Sequence, residues 1–219
     1  MHNVTVAFAV LLVMLLSYFF GCFNGSFMVS HFIIRDDVRK HGSGNAGLTN
    51  FYRTYGAKYA LLVIACDMGK TVAACLLGSF FFRCLGWDGT LGTLLAGLGC
   101  ELGHIFPVFY GFRGGKGILS GGTLVLLLNW RVAAVAWALF LLLWLTTRYV
   151  SLASITATCS APITVYFVYG HNWLYTGLCL AVAALVVWCH RENIQRLLHG
   201  TEKKFKWHVN PTEGKEPPQ

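Results

Sequence analysis

The chain has 219 residues, 56% hydrophobic and only 12% Asp, Glu, Lys or Arg, with a formal net charge of +8. Soluble domains run at about 45–50% apolar and about 25% charged, so this charge cannot cover a water-facing surface and a soluble enzyme is excluded. The apolar residues come in long blocks rather than in alternation, which predicts membrane-spanning helices and not a membrane barrel.

A span needs about 20 residues to cross roughly 30 Å of hydrocarbon. Spans are predicted at 4–23, 57–82, 89–110, 118–129, 132–148, 151–169 and 172–190. Together they make an all-α integral membrane bundle of about seven helices, one domain over 1–207. The fourth span is short and crosses fully only if it begins inside the Gly-rich stretch before it. The first block follows Met1-His2-Asn3, with no basic stretch ahead of it and no small-residue cleavage site. It is therefore a retained helix and not a signal peptide. Trp87, Trp130, Trp173 and Trp188 fall near span ends, as in an aromatic belt. The eight cysteines include no C-x-x-C pair and read as small hydrophobes, without a disulfide framework or zinc spacing. The tail over 208–219 is polar and Pro-rich and is predicted to be disordered.

With seven spans, segments 24–56, 111–117, 149–150 and 191–219 share one side. Allowing a residue or two for helix ends, that side takes all 17 Lys and Arg except Arg83 and Arg131 opposite and Lys70 inside a span. The positive-inside rule makes it cytoplasmic, with the N-terminus outside and the C-terminus inside. Such charge serves topology and headgroup contact, and it also suits an anionic substrate.

Four unusual polar segments lie on that side. The first is DVRKHGSGNAGLTNFYR, Asp37 to Arg53. Gly42, Gly44 and Gly47 let backbone N–H groups approach an anion, and Ser43, Thr49 and Asn50 offer further hydrogen bonds. Arg39, Lys40 and Arg53 bring positive charge, so a phosphate site outweighs an ordinary flexible loop. The G-x-G-x-x-G spacing, with Asp67 20 residues on, imitates a dinucleotide fingerprint. That fingerprint requires a preceding strand, whereas a membrane helix precedes this one.

Asp67 and Lys70 share a helical face inside the second span, where each ion costs about 2.5–3.5 kcal/mol at the bilayer centre. A structural ion pair is favoured there, with a direct substrate role second. The next segment runs Glu101-Leu-Gly-His104-Ile-Phe-Pro107 and continues Phe112-Arg-Gly-Gly-Lys-Gly117. It is not a P-loop, because Tyr110 stands at the first Gly position and Gly117 at the Ser/Thr position. Gly114, Gly115 and Gly117 still expose amides around Lys116, and a helix starting near Gly117 adds its N-terminal dipole. Ser151 lies at a helix start and, taken alone, reads as an N-cap. The last segment, His190 to Lys204, reads as an amphipathic continuation of the final span, the kind that binds headgroups. His190 and Asn193 are three apart there, on one face.

In this order, the segments resemble the bacterial acyl-phosphate:glycerol-3-phosphate acyltransferases, the PlsY family of integral membrane enzymes, from about Gly25 to Lys204. The resemblance rests on Gly25-Ser26, HGSGNAGLTN (41–50) with Arg53, and Asp67 with Lys70. It also rests on GHIFPVFYGFRGGKG (103–117), Tyr149-x-Ser151-Leu152 and HRENIQRL (190–197). Met28 and Thr71 stand where the family commonly has Pro and Gly.

The resemblance implies transfer of a fatty acyl group from acyl phosphate to the 1-hydroxyl of glycerol 3-phosphate, giving lysophosphatidic acid and phosphate. It implies no cofactor, metal or nucleic acid, and a functional link to an enzyme that produces acyl phosphate. The expected place is a bacterial plasma membrane, with the site on the cytoplasmic side. Arg53, Lys116, Ser151, His190 and Asn193 are then the catalytic group. Ser26, Arg39, Gly42, Ser43, Gly44, Asn45, Gly47, Thr49, Asn50, Lys70, His104, Gly114, Gly115, Gly117 and Arg196 are substrate-binding, and Asp67 and Pro107 structural. The proton acceptor stays open between a histidine (His190, His104 or His41) and a substrate phosphate oxygen. The rival reading, a transporter of a phosphorylated solute, places its site at the midplane between repeated halves; no internal repeat is legible.

Overall fold

The computed structural model describes residues 2–207; the tail expected to be disordered lies outside them. Helix α1 (His2–Cys22) is followed by a short α2 (Gly25–Met28), a π-helical stretch (Val29–Ile34) and a 3-10 turn (Val38–Lys40). Then come α3 (Leu48–Tyr55), α4 (Ala60–Cys84), α5 (Gly89–Ile105), a second 3-10 turn (Val108–Tyr110) and α6 (Ile118–Leu128). The chain ends with α7 (Trp130–Thr147), α8 (Val150–Val168), α9 (Trp173–Cys189) and α10 (Arg191–Leu198).

A helix stands at each predicted span, but five stretches are long and apolar enough to cross a membrane: Val4–Ile34, Ala60–Cys84, Gly89–Tyr110, Trp130–Thr147 and Val150–Val168. Helices α9 and α10 qualify only as a pair, bent by 59°. The final helix therefore breaks at His190 instead of running on, as the sequence reading expected. Helix α6 rises roughly 16 Å over its 11 residues, and it gains nothing from the preceding Gly-rich stretch, which is turn and coil.

Helix α5 is the hub, packed against α1, α4, α6 and α9. Its glycines allow this. A Cβ at Gly99 would stand 2.5 Å from the Met14 carbonyl oxygen of α1, and one at Gly103 would collide with that of Tyr18. Small residues let membrane helices approach backbone to backbone, where packing and not hydrophobicity must hold them.

A buried ion pair closes the bundle where α1 gives way to α2. Lys70 Nζ lies 2.9 Å from Asp67 Oδ1 and donates to the Gly21 and Phe23 carbonyls at 3.0 and 3.1 Å. It also donates to His104 Nδ1 at 2.7 Å. Asp67 Oδ1 accepts from the Gly25 N–H, at the start of α2, at 3.0 Å. The cation thus sits at the C-terminus of α1 and the anion at the N-terminus of α2, as the helix dipoles favour. Expected as a substrate ligand, Lys70 instead has all three protons engaged by the fold, which matches the structural reading of the pair. Lys70→Met is expected to strand Asp67 as a buried charge and remove about 3–5 kcal/mol of stability, read by thermal unfolding in detergent. The double variant with Asp67→Asn should recover part of that loss.

Candidate active site

The glycine turns meet at the end of the bundle where α5 finishes. The Ala46 N–H points at the Gly114 carbonyl at 3.4 Å, and Asn24 Nδ2 donates to the Ala46 carbonyl at 2.9 Å. Pro107 follows the end of α5, and the chain folds back so that the Gly114 and Gly115 N–H groups donate to the Ile105 and His104 carbonyls, each at 3.1 Å.

Asn50 shapes the first turn. Its Nδ2 faces the Val38, His41 and Asn45 carbonyls at 3.0–3.2 Å, and its Oδ1 accepts from the Ser43 N–H at 3.0 Å. Its side chain therefore organises the loop and is not free for a ligand. Gly42 and Gly44 take the left-handed backbone that the turn requires (φ 58° and 68°), while Ser43 is exposed and Thr49 half-buried.

Both turns lead into helices that no side chain caps: Gly47 before α3 and Gly117 before α6. At the opposite end of the bundle, Asp88, Asn129 and Asn172 cap α5, α7 and α9. Uncapped helix starts present unpaired N–H groups and positive dipole ends, the arrangement that binds anions. Gly117 has φ +81°, and a Cβ there would collide with the Glu101 carboxylate. Glu101 itself is buried, with neither carboxylate oxygen hydrogen-bonded among the described residues.

Beside the turns lies a charged cluster. Lys116 Nζ donates to Asn193 Oδ1. Asn193 Nδ2 and Ser151 Oγ both donate to Glu202 Oε1 at 2.7 Å, and Arg196 Nε donates to Glu202 Oε2 at 2.7 Å. Arg53 Nη2 donates to the Lys203 carbonyl at 3.1 Å. Burial pushes the Lys116 ammonium below the usual lysine range, with Arg196 adding to the effect and Glu192 and Glu202 opposing it. Burial likewise lowers the Arg53 guanidinium, against the pull of Glu202. Burial alone would raise the Glu202 carboxyl; the hydrogen bonds from Arg196, Asn193 and Ser151 outweigh it and hold the group below its ordinary value.

Two histidines border the cluster. His190 is buried and holds the Val186 carbonyl through Nδ1 at 2.8 Å, so Nδ1 carries the proton and Nε2 is left with a lone pair. His104 is the reverse. An ammonium can only donate, so Nδ1 accepts from Lys70 at 2.7 Å, while Asp67 stands 3.6 Å off. The proton is therefore on Nε2, which occupies the space a Cβ at Gly115 would need.

Two expected ligands, Arg39 and Ser26, and one expected cap, Ser151, stand in other surroundings than the sequence suggests. Arg39 is held by the Asp37 carboxylate at 2.9 Å, by the Tyr110 carbonyl at 2.7 Å and over the Phe27 ring at 4.4 Å. Ser26 is buried in α2, its hydroxyl without a partner among the described residues. Ser151 is no N-cap: Tyr149 holds that position, and the Ser151 hydroxyl reaches Glu202. Glu202 is the residue that sequence reasoning missed. The available signal was one acid beside Lys203 and Lys204, just beyond the end of α10, and the strap that carries it forward, with the Phe205 N–H on the Arg148 carbonyl and Tyr52 Oη on the Trp207 carbonyl, is a tertiary feature.

A sequence model of a family described as glycerol-3-phosphate acyltransferase matches residues 11–200. A protein of Syntrophomonas wolfei named glycerol-3-phosphate acyltransferase is 38% identical over 192 residues, covering 88% of this chain and 95% of that one. One of the same name from Alkaliphilus metalliredigens is 40% identical over 195 residues, covering 89% and 95%. The fold is similar to a crystal structure of PlsY (YgiH), an integral membrane glycerol 3-phosphate acyltransferase, in its glycerol 3-phosphate form. The TM-score is 0.80 at 36% identity, covering 90% of this chain and 96% of that one. The lysophosphatidic acid form gives 0.78 at 35%, covering 90% and 95%.

Glu202→Ala removes the acceptor shared by Ser151, Asn193 and Arg196. It is expected to destabilise the protein by about 1–3 kcal/mol and to loosen the strap, read as a lower unfolding temperature and faster proteolysis after Leu198.

Proposed function

The chain belongs to the glycerol-3-phosphate acyltransferase family, and we propose that it moves a fatty acyl group from acyl phosphate to the 1-hydroxyl of glycerol 3-phosphate, giving lysophosphatidic acid and inorganic phosphate. Acceptor and product follow the names of its relatives and the two liganded forms of the similar structure. The observation that carries the reading is the contact of the two glycine turns at Ala46 and Gly114, beside Lys116, Arg53 and Arg196.

Both substrates are anions, and bringing them together costs Coulomb repulsion that three cations and two uncapped helix starts offset. The acceptor hydroxyl oxygen attacks the acyl carbon, the bond from that carbon to the phosphate oxygen breaks, and phosphate leaves with the electron pair. The leaving group of a mixed anhydride needs no strong acid. The hydroxyl proton passes to a phosphate oxygen or to His190 Nε2, and either route leaves the protein the work of positioning and charge stabilisation.

The basic loops support a cytoplasmic site in a bacterial plasma membrane, with the N-terminus outside and residues 1–207 as one domain; of the seven expected crossings, the one at α6 is too short to span the core as helix alone. An acyl phosphate donor further implies an enzyme that makes it. Purified protein given glycerol 3-phosphate and a synthetic acyl phosphate is expected to form lysophosphatidic acid, and to form none from acyl-CoA, since no stretch of the sequence resembles an adenine-nucleotide site. Lys116→Ala and Arg53→Ala should each lower turnover about 100-fold or more without loss of folding or membrane insertion. Wild-type rates in both would refute the site, and solute uptake into vesicles without product would favour a transporter.

A further inference from the structure

Two openings in the surface differ in chemistry. The larger, a groove of about 530 Å³ between α8 and α9, is apolar and offers a charged group nothing. The smaller, of about 210 Å³, lies between α4, α5 and α6 at the end of the bundle away from the glycine turns. Cys75, Ser79 and Arg83 line it from α4, each four residues from the next and so on one stripe of that helix. Thr90 and Thr93 face them from α5, and leucines close the remaining wall.

The donors in this cavity are unengaged. Asp88, the nearest acid in sequence, caps α5 and accepts from the Thr90 N–H at 2.9 Å. The Arg83 guanidinium is left with neither a carboxylate nor a carbonyl among the described residues, and the Ser79 and Thr90 hydroxyls have no partner there either. Thr93 differs, since its hydroxyl donates to the Gly89 carbonyl at 3.1 Å. Glycine at 89 is what gathers the free donors. A Cβ there would stand 2.8 Å from Ser79 Oγ and collide with Arg83 Nε, so both side chains reach over the start of α5, the positive end of its dipole.

A cation at this end is itself unusual. By the span count, only Arg83 and Arg131 of the 17 Lys and Arg belong here, and Arg131 lies over the Trp130 ring at 5.6 Å. Helix α4 rises about 37 Å over its 25 residues, more than the roughly 30 Å of hydrocarbon. Arg83, one residue from its end, therefore stands at headgroup level, while Cys75 is about 12 Å deeper. Leu76, on the wall of the cavity, is exposed toward the bilayer.

We propose that this cavity binds the phosphate group of an anionic bilayer phospholipid. The Arg83 guanidinium and the Ser79 and Thr90 hydroxyls are the donors, and the tails stay in the bilayer beside Leu76. The cavity is smaller than the about 300–1,000 Å³ that encloses a drug-sized ligand, so it takes a headgroup and not a whole lipid. No carboxylate lines it to receive an ammonium headgroup. The site is at the opposite end from the charged cluster, and the proposal does not rest on the acyl transfer.

The test is native mass spectrometry of the detergent-purified protein with added dioleoyl phosphatidylglycerol. Wild type is compared with Arg83→Gln, with Ser79→Ala combined with Thr90→Val, and with Arg131→Gln. A hydrogen bond to a charged group is worth about tenfold or more in affinity. Arg83→Gln should therefore lose a lipid that wild type holds about tenfold or more tightly, and the hydroxyl variant should weaken it severalfold. Arg131→Gln should match wild type. Arg83→Lys, which keeps the charge and loses the fork, should fall between wild type and Arg83→Gln. Arg83 is exposed, so these changes leave the packing intact, and turnover should stay at the wild-type level. Lipid held at the glycine turns is common to all the proteins and cancels in the comparison.

Equal binding by wild type and Arg83→Gln would overturn the assignment, as would dioleoylglycerol held as tightly as the phospholipid. Inorganic phosphate that displaces the lipid from wild type at equal concentration would also overturn it, in favour of a free-anion site. Each of these results leaves the acyltransferase reading standing.

Discussion

A lysine and an aspartate sealed inside an apolar bundle must find partners for every proton and lone pair, and here that requirement fixes where the chain breaks. Four acceptors surround Lys70 Nζ within 3.1 Å: two carbonyls at the end of α1, a histidine of α5 and Asp67. The carbonyls are available only because the helix stops at Cys22 and starts again at Gly25. The same bond to His104 settles the tautomer of that ring and sets its Nε2 proton against Gly115. A charge pair that never meets the polar surface thus holds the floor on which the second glycine turn rests.

What rests on that floor is built from backbone more than from side chains. Asn50 gathers three carbonyls and one N–H into the first turn. Glycine at 115 and 117 leaves room for His104 and Glu101. The two helices that follow these turns start without caps, whereas three helices at the opposite end start with a capping Asp or Asn. Local stability at the uncapped starts is weaker for it, and on the proposed reading the N–H groups that a cap would have occupied serve an anion.

The pattern of apolar blocks was sufficient to place seven helices, since a membrane admits few alternatives for a long apolar stretch. Gly-rich composition marked both turns, and the company of Lys and Arg is what suggests the anion binding proposed for them. Three things were not legible. The 59° break at His190 leaves no trace in the sequence, because no Gly or Pro stands anywhere between Trp188 and Gln195 to mark it. Arg39 looked as free as Arg53 until Asp37, Phe27 and Tyr110 were folded around it. Glu202 was hidden by its neighbours in sequence: among Arg196, Lys203 and Lys204 it reads as one solvated charge, and only the return of the strap across α7 and α3 carries it to Ser151 and Asn193.

The arrangement also places two unlike environments side by side. The polar end supplies cations and free amides for charged groups, and the bilayer side supplies an apolar seam between α8 and α9. A reactant that is ionic at one end and hydrocarbon at the other meets both environments at once if it lies along that seam, with its reacting carbon at the boundary. Holding it there fixes orientation without enclosing it, since rotation about the chain axis is limited by the groove and translation by the anion site. On the proposed reading, Ser151 and His190 stand at that boundary because the one opens α8 and the other follows the end of α9, so both helices present the same polar end to the site.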